Sequence, residues 1–466
     1  MASTPALAAC SASLAALAVV AAPTCRFYHG RPCPPKTRSA QARSAGEWRW
    51  CIGRLRISSK VSRPPVPIAA VRAVASVPAP RRQPAHATVD SPCKPNYTRP
   101  QRRTPAAQDE RCIALRALVY HGNRDLRLES VPEPSPAPGQ AKIRVDYCGI
   151  CATDIEEYLY GPVFISWETP NALTGRKIPI VTGHEITGTV VQTGDRVSAV
   201  GEGDRVVING VLTCGSCRWC AGGNETQCPS MGAVGFAADG GLADYLVWPA
   251  SQLVKLPDNV SSEEAALVEP ASVAMHAVRR SRLQSGERVA VLGVGTVGLL
   301  AMQVAKAMGA RVFAVDRRAL SLEMAQRLGA DATIDPQAVD AAQALRDLTD
   351  GLGPDIVIDA AGASDTPVQA VEWVRQGGRV LLVAIYTAKT EIDFNSVVGT
   401  ETEIIGSLAY QQRDVEEVVQ LVSRGELRTS PLVSGKIGLE DVVDKGFARM
   451  MAPTKDVFRI LVSPSL

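Results

Sequence analysis

The chain has 466 residues, 46% of them hydrophobic and 21% charged, with a mean hydropathy of +0.03. That length exceeds what one core accommodates, and the composition excludes a wholly disordered or collagen-like chain. The formal charge of +3 hides a boundary: residues 1–110 carry 17 Lys or Arg against four acids, a net +13, while the remainder carries 33 basic and 43 acidic residues, a net −10, and so lacks the basic surface of a nucleic-acid binder.

Residues 1–22 are uncharged and rich in Ala and Ser, and repeated Arg, Ser and Pro follow with hardly an acid. This is the composition of an organelle transit peptide, so residues 1–111 are expected to be a disordered leader outside the fold. The Met-Ala-Ser-Thr opening and Val71-Arg72-Ala73-Val74 as a processing site favour a plastid among organelles. If the leader is instead upstream sequence read as protein, the expected location is the cytoplasm. The apolar run over residues 6–22 is short for a bilayer and has no basic residue before it, so no membrane association is expected.

The ordered body begins near Arg116. Ala117-Leu118-Val119-Tyr120 and Ala141-Lys142-Ile143-Arg144-Val145-Asp146-Tyr147 read as strands separated by a Pro-rich turn, and strands with Gly turns continue to about residue 254. From there the pattern alternates: helix over 263–280, strand 288–292, helix 297–308, strand 311–315. Strands at 380–384 and 403–406, a helix at 414–423 and a terminal strand at 457–462 complete it. The pattern predicts a β-rich domain followed by a doubly wound α/β domain.

Cys214, Cys217, Cys220 and Cys228 are separated by two, two and seven residues in a Gly-rich lobe. Four thiolates at this spacing can surround Zn²⁺ tetrahedrally and leave no open position, which makes a structural site; disulfides or an iron–sulfur cluster are the alternatives. A second set is dispersed: Cys151 in Cys-Ala-Thr-Asp, His184 in Gly-His-Glu and Glu269 in Val-Glu-Pro. Singly, each reads as a packed cysteine or a helix-end charge; together they give Zn²⁺ three ligands and one open position, the arrangement of a catalytic site. Two zinc ions per chain are therefore expected. Cys148 is expected to be inert, turned by strand alternation to the face opposite Cys151. His276 reads as a structural or cleft-lining histidine, and Tyr158, Tyr160 and Phe164 as core or as the wall of a substrate pocket.

Gly293-Val294-Gly295-Thr296-Val297-Gly298 follows an apolar strand and opens a helix, the context in which such a turn cradles a pyrophosphate. Asp316 ends the next strand, where a carboxylate accepts ribose hydroxyls and repels a 2′-phosphate, so NAD is the expected cofactor; Arg317 and Arg318, which follow, could tolerate a phosphate.

Taken together, Gly149-Ile150-Cys151-Ala152-Thr153-Asp154, Gly183-His184-Glu185, the four-cysteine lobe and the glycine turn resemble the zinc-dependent medium-chain dehydrogenase family over residues 115–466. Within it, residues 158–165 with Leu173-Thr174-Gly175, Val268-Glu269-Pro270 and His276-Ala277-Val278-Arg279-Arg280 are most similar to the 2,3-butanediol dehydrogenases. The resemblance implies a GroES-like catalytic domain over 112–264 and 409–466, interrupted by a Rossmann domain over 265–408. It also implies a homodimer or homotetramer acting on a small diol or polyol. The implied reaction is reversible oxidation of 2,3-butanediol to acetoin, with the zinc lowering the pKa of the alcohol and NAD⁺ accepting hydride. Sorbitol and L-threonine dehydrogenases are the enzyme alternatives, and a catalytically silent NAD-binding relative is the alternative of another class. Carried over by residue, Asp154 orients His184, Glu185 can approach the metal as an alternative ligand, and Thr153 takes the substrate proton. Glu156 stands where many relatives carry a relay histidine, leaving either this carboxylate or water to release the proton.

Overall fold

The computed structural model describes residues 114–466 except Thr387 and Lys455, so the expectations for the leader lie outside the described residues. The first part is antiparallel. Strand Gln140–Gly149 is central to a seven-stranded sheet, pairing with Glu185–Thr193, Tyr245–Pro249 and Arg459–Val462. Alternation along Gln140–Gly149 sends Ala141, Ile143 and Val145 inward, onto a core that includes Ile186, Val206, Leu246 and Ile460. The chain's last strands, Val433–Ile437 and Arg459–Val462, return to this sheet and pair in parallel, as the interrupted-domain reading requires.

Between these parts lies a six-stranded parallel sheet in the spatial order Ala332–Ile334, Arg311–Val315, Arg288–Leu292, Ile356–Asp359, Arg379–Leu382, Glu403–Gly406. This is the doubly wound dinucleotide-binding order, and the order reverses beside Arg288–Leu292, placing a crevice at the carboxyl ends of the strands. Its strands are continuous apolar runs because helices cover both faces.

Three local expectations are corrected. A strand, Asp125–Pro132, forms a hairpin with Ala114–Gly122 where only a turn was expected, although Asp125-Leu126-Arg127-Leu128-Glu129 alternates polar and apolar as a strand does. The helix expected over 263–280 is two helices, Ser262–Ala265 and Val268–Arg280. Pro270 has no N–H to give a preceding carbonyl, so a proline there is tolerated only in a new first turn. Cys151 lies not on a strand but at the start of helix Ala152–Tyr160, so strand alternation does not separate it from Cys148; Cys148 is nonetheless fully buried. Among the described residues no helix is long and apolar enough to cross a membrane.

Candidate active site and metal centres

In the lobe, Cys214 Sγ lies 3.9 Å from Cys220 Sγ and 3.6 Å from Cys228 Sγ, and Cys217 Sγ lies 3.5 Å from Cys220 Sγ. A tetrahedron with Zn–S bonds of ~2.3 Å has edges of about 3.8 Å, so the sulfurs already stand at zinc-thiolate spacing. None is in a disulfide. Backbone N–H groups of Ser216 and Cys217 point at Cys214 and pull its thiol down to about 6, favouring the thiolate a metal needs.

The second group forms where strand and helix ends converge. Cys151, His184 and Glu185 bring one ligand atom each within 4.8 Å of one another. Helix Ala152–Tyr160 places Cys151 by a cap: Asp154 Oδ2 accepts the Cys151 backbone N–H at 2.8 Å. The other oxygen of Asp154 faces His184 Nδ1 at 3.3 Å, leaving Nε2 for the cluster. Burial disfavours the charged imidazole, but Asp154 and Cys151 outweigh it and hold its pKa well above the ordinary range. Thr153 Oγ1 lies 3.5 Å from His184 Nε2.

Glu185 is fully buried opposite Gly149, where a Cβ would overlap its carboxylate, so glycine is what lets that carboxylate fit. Arg459 from the last strand approaches Glu185 Oε1 at 3.2 Å and donates to the Ile150 carbonyl at 2.5 Å. Both Glu185 oxygens are buried without an aligned hydrogen-bond partner, a deficit that a cation would relieve. One thiol, one imidazole and one carboxylate are suitable donors for zinc.

Glu269, the carboxylate expected as a ligand, is buried beside this trio. It stands in the first turn of Val268–Arg280, close enough for Glu185 and His184 to act on its charge, but outside the three-residue cluster. Burial, reinforced by Glu185, pushes its pKa up to about 7. Its partner is Tyr410, whose hydroxyl also accepts the Gly210 N–H at 3.3 Å. Neither Tyr410 nor Arg459 was singled out from sequence, although an arginine within Val457-Phe458-Arg459-Ile460-Leu461-Val462 is itself a signal, since a buried cation needs a partner. Glu156 is half-buried and its side chain makes no hydrogen bond among the described residues; burial raises its pKa.

The aromatics divide. Tyr158 packs on Phe447 with ring centres 5.4 Å apart, and Tyr160 is exposed. Phe164 meets Phe236 edge-on at 5.7 Å, and Phe236 lies 4.9 Å from the His184 ring. Glu157 holds this wall in place by accepting the Phe164 N–H at 2.8 Å and that of Val163. His276 gives Nδ1 to Asp414 Oδ2 at 2.9 Å, and Arg279 Nε meets Oδ1 at 2.9 Å, so helices Val268–Arg280 and Gln412–Ser423 are tied through one buried carboxylate. Burial alone would raise the Asp414 pKa, but His276 and Arg279 hold it below the usual range. A carboxylate depressed in the folded state stabilises it above the unfolded pKa, and this is lost as pH falls through the folded value. Asp414→Asn is accordingly expected to cost about 3 kcal/mol near neutral pH. In denaturant titrations its deficit against wild type should shrink below about pH 4; a deficit independent of pH would contradict the pairing.

Helix Thr296–Ala307 starts inside the glycine turn, and a Cβ at Gly298 would collide with the Gly293 carbonyl. Thr296 Oγ1 anchors the helix start to the Phe458 carbonyl at 2.8 Å. Gly293, Gly295, Asp316 and Thr366 line a cleft of about 460 Å³ at the switch point of the parallel sheet.

A family model described as an alcohol dehydrogenase GroES-like domain matches residues 137–258, and one described as a zinc-binding dehydrogenase matches 296–424. The (R,R)-butanediol dehydrogenase of Bacillus subtilis is 35% identical over 354 residues, covering 75% of this chain and 100% of that protein. The chain belongs to the zinc-binding alcohol dehydrogenase family. As a zinc-type alcohol dehydrogenase it is an oxidoreductase, and zinc and NAD are the cofactors typical of that family. A sorbitol dehydrogenase of Halalkalibacterium halodurans is 30% identical, covering 75% of this dehydrogenase and 99% of its own length. The crystal structure of 2R,3R-butanediol dehydrogenase from Bacillus subtilis superposes with a TM-score of 0.71 at 34% identity, covering 75% of this chain and 99% of that one.

Proposed function

We propose that this dehydrogenase oxidises a vicinal secondary diol, with 2,3-butanediol converted to acetoin, and that the cluster of Cys151, His184 and Glu185 is its catalytic centre. Zinc bound there supplies a Lewis acid that makes the substrate hydroxyl more acidic. Cys151 and His184 would supply two ligands and Glu185 the carboxylate, with Glu269 beside them; Cys214, Cys217, Cys220 and Cys228 would hold a structural ion. Asp154 fixes the tautomer and tilt of His184. The Thr153 hydroxyl accepts the substrate O–H proton and gives its own to water or to Glu156, because a hydroxyl can accept and donate at once. Gly293, Gly295, Thr296, Val297, Gly298 and Asp316 would hold NAD⁺, which would supply the hydride acceptor for the carbinol C–H.

The observation that carries the substrate reading is the aromatic wall of Phe236 and Phe164 against His184. A methyl-bearing diol places its methyl groups there at no cost, whereas a polyol must press hydroxyls on the rings, each losing its hydrogen bonds. The butanediol dehydrogenase relative agrees with this, and the sorbitol dehydrogenase relative marks the alternative. An apolar pocket rejects one added hydroxyl by about 100-fold, so kcat/KM for a 2,3-butanediol isomer is expected to exceed that for sorbitol by at least that factor. Phe236→Ser should narrow the ratio roughly tenfold, as removing one apolar contact does. A wild-type ratio near one, or a ratio unmoved by Phe236→Ser, would overturn the reading.

A further inference from the structure

Asp316 lies at the end of strand Arg311–Val315, where an unpaired carboxylate would turn away a phosphate on the adenosine ribose. Here it is not unpaired. Its Oδ2 accepts the Val294 N–H at 2.9 Å and its Oδ1 accepts the Arg318 N–H at 2.9 Å. The Arg318 guanidinium lies across both oxygens, with Nε 3.3 Å from Oδ1 and Nη2 3.5 Å from Oδ2. The Asp316 side chain is only 9% exposed, whereas that of Arg318 is 32% exposed. A Cβ on Gly295 would stand 3.6 Å from Arg318 Nη2, so the guanidinium overhangs the phosphate-binding turn. At the same cleft Arg317 pairs with Asp365 at 3.1 Å, both of them well exposed.

We propose that this cleft accepts NADP⁺ as well as NAD⁺, with Arg318 moving from Asp316 onto the 2′-phosphate. The inference rests on the reading of the cleft as a nicotinamide dinucleotide site. Rejection of a 2′-phosphate is Coulombic, and the four side-chain charges at the cleft mouth cancel. A phosphate offers the planar guanidinium two charged oxygens at once, a better match for its fork than a carboxylate already taken by two backbone donors. Those two donors stay with Asp316 when the guanidinium leaves, so the carboxylate is not orphaned by the exchange. With the guanidinium on Asp316, as in this structure, the same cleft is open to the unphosphorylated ribose of NAD⁺.

The test is direct binding, read by fluorescence titration of the zinc-loaded protein with NADH and with NADPH. The Kd for NADPH is expected within about 30-fold of that for NADH, since one charge-assisted contact offsets most of the carboxylate's repulsion. Arg318→Ala should weaken NADPH about 10- to 100-fold while moving NADH less than about threefold, and Arg318→Lys, which keeps the charge but not the fork, should fall between. NADH binding with NADPH weaker than that 30-fold limit overturns the proposal, as does an Arg318→Ala variant that keeps its NADPH affinity. Failure of both nucleotides to bind would overturn the dinucleotide reading itself.

Discussion

Cys217→Ser is expected to strip the lobe of its zinc and lower the melting temperature by roughly 5 °C or more. The reason is that the lobe has no apolar core of its own. Its four-residue helix Arg218–Ala221 and the turn Glu225–Gln227 bury no side chain, so the sulfurs at 3.5 to 3.9 Å are its core. In such a site the free energy of metal binding is folding free energy. The damage should also travel, because Gln411 Nε2 donates to the Gly223 carbonyl at 2.6 Å and Gln411 leads into helix Gln412–Ser423. Metal analysis should find one zinc per chain in the variant. An undisturbed melting temperature with unchanged zinc content would contradict the closed-site assignment.

Cys151→Ser is expected to do the reverse: turnover falls at least about 1000-fold while the fold and the lobe zinc survive. Serine is a poor ligand for zinc beside an imidazole and a carboxylate. The cap of helix Ala152–Tyr160 is spared, since the Asp154 bond goes to the Cys151 backbone N–H and serine is itself a good capping residue. An unchanged melting curve with one zinc and no NADH formation would separate this site from the lobe. Retained turnover would remove Cys151 from the catalytic centre.

Much of this could be read from residue order. The parallel-sheet strands near 288, 311 and 403 and the glycine turn carry their own local signals, apolar runs with Gly beside them, and each stands within a residue or two of its expected place. The four-cysteine lobe is equally local, with its residues crowded into one short stretch. What sequence could not decide were contacts between distant segments. Glu185 and Glu269 are both carboxylates in motifs and both buried, and it is the placing of Glu185 against Gly149 and Arg459, segments distant in sequence, that sets it among Cys151 and His184 with Glu269 beside them. Arg459 reaches its site from the last strand, and Phe236 reaches His184 from a loop with no periodicity to mark it. The Asp316–Arg318 pair was visible as adjacent charges, but whether the guanidinium turns toward the carboxylate is a matter of rotamer, which a sequence does not specify.

The central claim is a two-zinc, nicotinamide-dependent oxidation of a secondary alcohol. It is tested most directly by counting zinc and following NADH formation on one sample of the purified chain, offered 2,3-butanediol stereoisomers, sorbitol and L-threonine in parallel. The account predicts two zinc ions per chain and NADH formed fastest from a butanediol isomer. Two zinc ions with no NADH formed from any of these alcohols would contradict it and make the chain a silent member of its family.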